Sequence, residues 1–598
     1  MRIVFQQLAH RPSTSVFKSP IFILSPGGRV RRPYTTTTKL LSSTPKQTTS
    51  TVTLKMGSTA INLPTIRLDT TLADLYKLAD PSTAHLRLGL VLCGVNSAIA
   101  LSSSFPRNKK YLYQDSPFNN IPPSDLKDAS TTNPSSTKAT DLQRSIALKY
   151  LSLIPQRDAF IAGGPSTPAI FFNVSPGSPE QEAHDRHEAE MTLSVLDPDQ
   201  KPKLVFCSGP ADIPIKELGI ERLAVKIMLD DLEKQKYPLV VDMQTQWFLN
   251  SKAGLAESGL PTPRAEVVHV EGYLPGTTAT ECCETCKEED AKKGRMKFVP
   301  AGCKGVRGKW VEEQVTKIVE KIEARQTPFV FKTQQTFGGA GTWVISNKEK
   351  KRELVEELTN DETGVLRKLL SQVTAKNQQM KPGAVVLSEM VRDPVGDYGV
   401  TFLMKKGGEA KFLAASEQMI NEDNAWIGST INYARQEKLR KKFEGIMRQT
   451  AEWVGKHGYI GPVGIDILET KDIPQGEKLQ ENGTSSADGD KTAHYIVDLN
   501  VRTSGSLALP LLKGHFTSRG MTCASSFSTT VKGSRKEFME TWREEFESGR
   551  MLIMAWYEDN ADQEGVKSIG DVVVGGKDEK NLQDLMKRVR ETTEEVTF

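Results

Sequence analysis

The stretch Tyr495-Ile-Val-Asp498-Leu-Asn500-Val-Arg502 places an acid, an amide and a guanidinium at alternate positions of an otherwise apolar strand. Alternate residues of a strand face the same side, so these three polar side chains share one face. Upstream, Gly464-Ile-Asp466-Ile is typical of the partner strand of a hairpin and brings a second acid next to Asp498. Mg²⁺ prefers oxygen ligands and keeps substrate phosphates among them, and Arg makes planar, bidentate contacts with phosphate. The two strands therefore predict that Asp466, Asp498 and Asn500 hold Mg²⁺ or Mn²⁺ while Arg502 binds phosphate.

The alternative for this hairpin is a pair of solvated polar faces at the edge of a sheet. Asp466 and Asp498 interrupt strands that are otherwise apolar, which favours the metal site over a solvated edge.

A strand that ends in a lysine precedes a glycine-rich loop. Phe329-Val-Phe-Lys332 is followed, after three residues, by Thr336-Phe-Gly338-Gly339-Ala-Gly341. Backbone N–H groups of such a loop approach phosphate oxygens closely. No Gly-Lys-Ser/Thr ends the loop, so it is not a Walker A loop. A glycine-rich hairpin alone is usually structural, but the lysine before it and the acid-Asn-Arg strand after it favour a phosphate cradle.

Between these two elements lies the apolar strand Val385-Val-Leu-Ser-Glu389-Met-Val391, which carries an acid near its end. Such a strand suits a hinge between two lobes, with a backbone that pairs with adenine. Asp397, eight residues after Glu389, is then placed to meet the ribose hydroxyls. The sequence predicts that Glu389, Val391 and Asp397 contribute to nucleotide binding.

Taken in this order, the elements resemble the ATP-grasp superfamily over about residues 250–515, and most closely a fungal branch of it. The segment Asn250-Ser-Lys252-Ala with Gly259-Leu-Pro261-Thr-Pro263 is similar to the family's Asp-Lys…Gly-x-Pro-x-Pro segment, with Asn or Ser in place of the Asp. The resemblance implies a lysine on the α-phosphate, a glutamate at the adenine, three metal ligands and a phosphate-binding arginine. These positions are Lys332, Glu389, Asp466, Asp498, Asn500 and Arg502.

The resemblance further implies an ATP-dependent, ADP-forming ligase with Lys332 and Arg502 as catalytic residues. A substrate carboxylate would be phosphorylated to an acyl phosphate, which an amine then attacks to form an amide. Phosphotransfer or carboxylate–thiol ligation stays open, because an ATP site alone does not fix the acceptor. The alternative from another class is an ATP-binding protein without catalysis. Arg502 and the turn Thr503-Ser-Gly-Ser506, which opens a helix toward Leu512, are expected to bind the acyl phosphate.

The region before residue 247 is typical of the α/β class. Predicted strands at residues 86–92, 160–162, 169–174, 204–207 and 239–243 alternate with helical segments, which indicates a parallel sheet. A chain of 598 residues contains several domains. We expect a targeting or disordered segment (1–55), an N-terminal α/β domain (56–246), a two-lobed α+β ATP-grasp domain (247–515) and a C-terminal α/β extension (516–598).

Charge and hydropathy limit the partners. A formal net charge of +4 gives no general argument for a nucleic-acid or membrane partner, and no run approaches the ~18 apolar residues of a membrane span. The expected partners are small-molecule carboxylate and amine substrates, and a homodimer is compatible with the family.

The N-terminal segment has its own composition. Residues 1–68 contain no Asp or Glu, while Arg and Lys recur among Ser and Thr, as in a mitochondrial transit segment. A disordered tail, or a start at Met56, is the alternative. The expected location is therefore cytoplasmic or mitochondrial.

Four of the seven cysteines, Cys282, Cys283, Cys286 and Cys303, lie close together in sequence. Cys283, Cys286 and Cys303, with His269 as a fourth ligand, would form a structural Zn²⁺ site by thiolate and imidazole ligation. The alternative is a set of reduced loop thiols.

Overall fold

A computed structural model describes residues 51–54, 61–92, 152–172, 179–228, 236–271, 299, 301–335, 341–360, 364–371, 373, 378–420, 426–471, 492–559 and 567–595. The predicted targeting segment lies outside these residues apart from 51–54, so the expected location stays a prediction. Within the described ranges, no helix is long and apolar enough to cross a membrane.

The N-terminal part contains a parallel sheet, as predicted. A two-stranded antiparallel sheet, β1 (Thr51–Leu54) and β2 (Ile61–Pro64), comes first. The parallel sheet has the order β5-β4-β3-β6. Its strands are β3 (Leu88–Val91), β4 (Pro168–Phe172), β5 (Lys203–Cys207) and β6 (Arg222–Val225). The helices of this part are α1 (Leu72–Ala79), a helix over residues 152–160 and α2 (Pro179–Leu193).

Two predicted strands of this part are wrong. Residues 160–162 form the end of the 152–160 helix and the turn after it. Phe160 and its two neighbours are completely or almost completely buried, and a short apolar run does not distinguish a buried strand from a buried helix. In the predicted strand 239–243, Leu239 makes one parallel bridge to Leu223, and a helix begins at Met243.

A four-stranded antiparallel sheet with the order β7-β10-β8-β9 forms the next lobe. Its strands are β7 (Ala265–Val268), β8 (Phe329–Lys332), β9 (Thr342–Ile345) and β10 (Val385–Glu389). Its helices are α3 (Met243–Leu249), α4 (Lys252–Ala256), α5 (Val306–Ala324), α6 (Lys348–Thr359) and α7 (Val365–Ser371). Ile318 and Ile322 of α5 pack with Phe329 and Phe331 of β8 in the core of this lobe.

A nine-stranded antiparallel sheet follows, with the order β15-β14-β11-β12-β13-β16-β18-β17 and β19 paired to β16. Its strands are β11 (Pro394–Met404), β12 (Ala410–Ile420), β13 (Trp426–Asn432), β14 (Gly461–Thr470), β15 (Ala493–Asn500), β16 (Cys523–Lys532), β17 (Met551–Asp559), β18 (Lys567–Gly576) and β19 (Glu594–Glu595). Its helices are α8 (Gln436–Lys456), α9 (Ala508–Leu511), α10 (Lys513–Thr517), α11 (Arg535–Thr541), α12 (Arg543–Glu547) and α13 (Glu579–Thr592). Single-turn 3₁₀ helices lie at Pro81–Thr83, Pro198–Gln200, Pro210–Asp212, Gln378–Met380 and Tyr433–Arg435.

The first and last parts of the chain share one core. Leu90 and Phe171 of the parallel sheet belong to the same buried cluster as Leu403 of β11 and Met554 of β17. Strands β16–β18, from the region assigned to a C-terminal extension, continue the sheet that contains β14 and β15. The predicted fold class, an α/β part followed by two α+β lobes, is confirmed.

Candidate functional site

Two carboxylates face each other on adjacent strands. Asp466 of β14 and Asp498 of β15 are paired residues of the antiparallel ladder, so their side chains share one face of the sheet. Asn500 donates from Nδ2 to Asp466 Oδ2 at 3.1 Å. The structure thus brings together the three predicted metal ligands, each of which is half-buried.

Gln418 holds Asp466 from the other side. It lies on β12 and donates from Nε2 to Asp466 Oδ1 at 2.9 Å. Its Oε1 accepts hydrogen bonds from Trp426 Nε1 at 2.8 Å and Ser429 Oγ at 2.6 Å. Gly399 of β11 lies between Gln418 and Asp466, and a Cβ added there would lie 2.3 Å from Gln418 Nε2. Gly399 therefore leaves the space through which the amide reaches the carboxylate.

Two lysines approach Asp498 from the preceding lobe. Lys252, at the start of α4, is buried and forms an ion pair with Asp498. Lys332, at the end of β8, donates from Nζ to the carbonyl oxygen of Val497 at 2.7 Å. Both cations therefore lie beside the strand that carries the predicted metal ligands.

The protonation of these groups follows from their surroundings. Burial, followed by the charge of Lys252, lowers the pKa of Lys332 to about 8. Burial, followed by the charge of Asp498, raises the pKa of Asp466. Burial alone would raise the pKa of Asp498. The ion pair with Lys252 and the charges of Arg502 and Lys332 outweigh this effect, so the pKa of Asp498 is lowered. Asp498 is thus the ionised member of the pair, and Asp466 forms no ion pair with any residue that the structure describes.

Arg502 is fixed by Asn250. The side-chain oxygen of Asn250, at the end of α3, accepts from Arg502 Nη1 at 2.6 Å and from Val501 N at 2.9 Å. Asn250 is buried. The resemblance implies an acid at the position of Asn250 or Ser251, and a carboxylate at position 250 would face the same two donors. Helix α9 after the turn 503–506 is a single turn, so the expected anion site at this turn depends on Arg502 and the turn itself.

Glu389 ends β10 and is bound to Arg264, which donates from Nε at 2.9 Å. Strand β10 is paired on both sides, to β7 and β8. Its backbone is therefore used in the sheet, and the chain leaves the sheet only at Met390 and Val391. Lys332 is paired with Val386 in the β8–β10 ladder, and Glu389 lies three residues after Val386. At ~3.3 Å per residue, the lysine and the glutamate lie ~10 Å apart along the strands.

Asp397 lies on β11, two residues before Gly399, which is the ladder partner of Asp466. It therefore shares a face with Asp466, and its charge contributes to the raised pKa of Asp466. Burial raises the pKa of Asp397 itself to about 7. Its expected contact with ribose stays a prediction.

Part of the predicted phosphate loop can be located. Thr336, Gly338 and Gly339 lie outside the described residues. Gly341 adopts a φ of 64°, which favours glycine, and its carbonyl accepts from Thr333 N at 2.9 Å. This bond closes the connection between β8 and β9 next to Lys332.

The predicted zinc ligands are only partly described. Cys282, Cys283 and Cys286 lie outside the described residues, and Cys303 packs with Val299 and Trp310 in a small apolar cluster. His269 is hydrogen-bonded to Glu257 Oε1 at 2.7 Å. In the described ranges, no group of three or more His, Cys, Asp or Glu side chains is arranged to hold a metal ion, so nothing supports the zinc site.

The site contains residues that the sequence did not predict. Lys252 stood in a segment noted for its resemblance to the family, but its contact with Asp498 spans 246 positions. Gln418 and Trp426 lie on β12 and β13, which were not predicted as strands, so the hydrogen bonds that link them to Asp466 were not expected. Gly399 was visible in sequence only as one glycine within a strand, which can mark a close approach.

Comparisons with known proteins gave only structural matches. No family model and no curated protein matches the sequence. One similar solved structure is N5-carboxyaminoimidazole synthetase from Staphylococcus aureus complexed with ADP (12% identity, 67% of this chain and 92% of that chain, TM-score 0.37). Another is a biotin carboxylase–ATP complex from Campylobacter jejuni (9%, 85% and 91%, TM-score 0.39). A third is phosphoribosylamine–glycine ligase from Thermotoga maritima (14%, 66% and 91%, TM-score 0.34).

All three overlaps are loose, with TM-scores below 0.4. The β14–β15 pair carries two carboxylates and one amide, those of Asp466, Asp498 and Asn500. Three cations lie beside it, and they come from α4, β8 and the turn after β15: Lys252, Lys332 and Arg502. This arrangement suits a polyphosphate together with a divalent cation.

Proposed function

We propose that this chain is an ATP-dependent, ADP-forming ligase that joins a carboxylic acid to an amine. The observation that supports it most is the opposed pair Asp466 and Asp498, with Asn500 beside them and Lys252, Lys332 and Arg502 nearby. Oxygen ligands of this kind match those that Mg²⁺ takes together with substrate phosphates.

The carboxylates fit a divalent cation on electrostatic grounds. Asp466 has amide donors, Gln418 and Asn500, whereas Asp498 has the ammonium of Lys252. Burial and the charge of Asp498 raise the pKa of Asp466, so a second negative charge beside Asp498 is disfavoured unless a divalent cation offsets it. Bound there, Mg²⁺ would screen the phosphate oxygens and the developing charge on the transferred phosphoryl group.

The cations have separate tasks. Lys332 and Lys252 would bind the oxygens of the triphosphate, since both ammonium groups lie against the strand of the metal ligands. Arg502, oriented by Asn250, would bind the acid to be activated and then the acyl phosphate. Fixing these groups before the substrates arrive lowers the barrier by positioning and charge stabilisation.

The reaction would run in two steps. A carboxylate oxygen attacks the γ-phosphorus of ATP, the bond to the β-phosphate oxygen breaks, and ADP leaves. The amine then attacks the acyl carbon, loses a proton and displaces inorganic phosphate, which leaves the amide.

The test is ADP release by the full chain with Mg²⁺, with amino acids and small carboxylic acids added singly and in pairs. Release that requires both an acid and an amine supports the ligase. Release that needs a single compound favours phosphotransfer, and release that needs a thiol favours thioester formation.

Two variants complete this test. Asp498→Ala is expected to abolish turnover. Asp584→Ala, which removes an exposed acid on α13, is the control and should retain it. Nucleotide binding without turnover on every pair, unaffected by Asp498→Ala, would overturn the proposal.

A further inference from the structure

An arginine from the N-terminal part, Arg157, lies next to this site. Arg157 belongs to the 152–160 helix, and its guanidinium lies over the ring of Trp426, 5.6 Å from the centroid. Its Nε lies 2.8 Å from Asp571 Oδ2. Among the residues that the structure describes, these are its contacts, so neither terminal nitrogen has an acceptor. Stacking on an aromatic face leaves the in-plane N–H groups of an arginine directed outward, where they can bind an anion.

The position of Arg157 is fixed. The neighbouring Gln156 donates from Nε2 to the carbonyl oxygen of Trp556 at 2.9 Å and accepts from Trp556 N at 3.0 Å. Asp571 is buried on β18 and also accepts from Ser528. Two strands of the nine-stranded sheet therefore hold the helix and its arginine against Trp426.

Trp426 connects Arg157 to the predicted metal ligands. Its Nε1 donates to Gln418 Oε1 at 2.8 Å, and Gln418 donates to Asp466 at 2.9 Å. Gly505, in the turn after Arg502, packs against the same indole, since an added Cβ would lie 2.5 Å from the ring. The indole of Trp426 thus contacts Arg157, Gly505 of the turn 503–506, and Gln418, which is the hydrogen-bond donor to Asp466.

The surroundings favour an anion. Lys226, directly after β6, is buried and forms an ion pair with Asp158 at 2.5 Å. Burial lowers the pKa of Lys226, and the positive charges of Arg157 and Arg502 act in the same direction, so all three cations influence one another. In addition, the hydroxyl of Thr503, next to Arg502, is buried and has no hydrogen-bond partner among the described residues.

We propose that Arg157 binds a second anionic group of the acid substrate, a carboxylate or a phosphate, beside Trp426. This inference rests on the proposed function, because it assumes that the first carboxylate is activated at the metal ligands. The substrate would then be a dicarboxylic or phosphorylated acid, oriented by Arg157 at one end and Arg502 at the other. Arg157 would determine specificity and take no part in phosphoryl transfer.

The first experiment measures binding of inorganic phosphate to the full chain by calorimetry, with Mg²⁺ and a saturating non-hydrolysable ATP analogue. We expect wild type to bind phosphate and Arg157→Met to bind it at least ~10-fold more weakly, as loss of a bidentate contact predicts. Arg186→Met is the matched control, because Arg186 also covers an aromatic ring, Phe206 at 4.4 Å, and pairs with Glu182. Equal phosphate affinity in wild type and Arg157→Met would overturn the inference.

The second experiment compares acids of equal length in the ADP-release assay, succinate against butyrate and glutarate against valerate, with 3-phosphoglycerate as the phosphorylated acid. Arg157→Met should lower kcat/KM for the doubly charged acids and leave the monoacids unchanged. A preference for the phosphorylated acid identifies a phosphate, and a preference for the diacids identifies a carboxylate. Equal loss for all acids would overturn the inference in favour of a structural arginine.

Folding and the proposed function are controlled separately. If Arg157→Met loses its near-UV circular dichroism because Asp571 is left without a cation, Arg157→Lys decides. Lysine keeps the positive charge but lacks the planar guanidinium that makes two parallel hydrogen bonds, so Arg157→Lys is expected to bind phosphate at least ~3-fold more weakly than wild type. Unchanged binding would overturn the inference. Phosphate binding that depends on Arg157 in a protein that binds no nucleotide would support the anion subsite and contradict the ligase.

Discussion

Replacing Lys252 with methionine removes one charge from the site and keeps a linear apolar side chain. Lys252 is 7% exposed and its partner Asp498 is 29% exposed. Breaking a fully buried ion pair costs about 3–5 kcal/mol. Because water still reaches Asp498, we expect a smaller loss of about 1–3 kcal/mol in the free energy of unfolding. For a chain of 598 residues this corresponds to a decrease in Tm of roughly 1–2 °C.

Magnesium should reverse part of this loss. Without Lys252, the pair Asp466 and Asp498 has lost its nearest cation, and a divalent ion no longer competes with an ammonium for Asp498. Thermal unfolding followed by circular dichroism, with and without MgCl₂, should therefore show a larger increase in Tm for Lys252→Met than for wild type.

Lys321→Met is the control for this prediction. Lys321 forms an ion pair of 2.8 Å with Glu266, but both side chains are exposed, by 48% and 43%. We expect its effect to stay within about 0.5 kcal/mol. If Lys252→Met and Lys321→Met melt at the same temperature, or if Mg²⁺ stabilises wild type and Lys252→Met equally, Lys252 does not neutralise Asp498 in the folded protein.

Three further variants test other contacts of the site. Because the pKa of Lys332 is lowered to about 8, its ammonium is lost above that pH, and the affinity of wild type for a non-hydrolysable ATP analogue with Mg²⁺ should fall up to ~10-fold per pH unit. Calorimetry between pH 7 and 9.5 should show this fall for wild type and a constant affinity for Lys332→Arg. A constant affinity in both proteins would contradict the role of Lys332. Asn250→Ala removes the side-chain oxygen that accepts from Arg502 Nη1 and Val501 N, so chemical denaturation should show a loss of about 1–3 kcal/mol in the free energy of unfolding. An unchanged midpoint would show that water replaces the amide. Gly399→Ala places a Cβ 2.3 Å from Gln418 Nε2 and should weaken Mg²⁺-dependent nucleotide binding at least ~10-fold. The control is Gly455→Ala, whose Cβ meets the flexible end of Met404 at 2.8 Å and which should bind nucleotide normally. Equal binding by both variants would show that Gln418 does not support Asp466.

The sequence predicts this site where each strand carries its own local pattern. Asp466 and Asp498 interrupt apolar strands, and the alternation of Asp498, Asn500 and Arg502 is sufficient to place all three on one face. Lys332 is recognisable because a charged residue ends an apolar strand before a glycine-rich loop. These are short-range features, and the structure has them on the predicted elements, except that Arg502 lies two residues beyond the end of β15, where the chain turns.

The supporting residues could not be predicted because tertiary contacts define them. Strand β12 has the sequence Ala410-Lys-Phe-Leu-Ala-Ala-Ser-Glu-Gln-Met-Ile420, in which polar and apolar residues do not alternate regularly. It becomes a strand because β11 and β13 pair with it on both sides, and pairing outweighs local propensity. Gln418 and Trp426 were missed for this reason. Likewise, the run at Phe160 is buried on all sides, so its hydrophobicity has no period that could identify a helix.

The central claim is that Asp466, Asp498 and Asn500 hold a divalent cation together with the phosphates of ATP. The most direct measurement is a titration of the full chain with Mn²⁺ and a non-hydrolysable ATP analogue, followed by electron paramagnetic resonance of the metal. We expect wild type to bind Mn²⁺ and the analogue together, Asp498→Asn to weaken this binding at least ~10-fold, and Asp584→Asn to leave it unchanged. Equal Mn²⁺ affinity in wild type and Asp498→Asn, or nucleotide binding that is independent of metal, would contradict it.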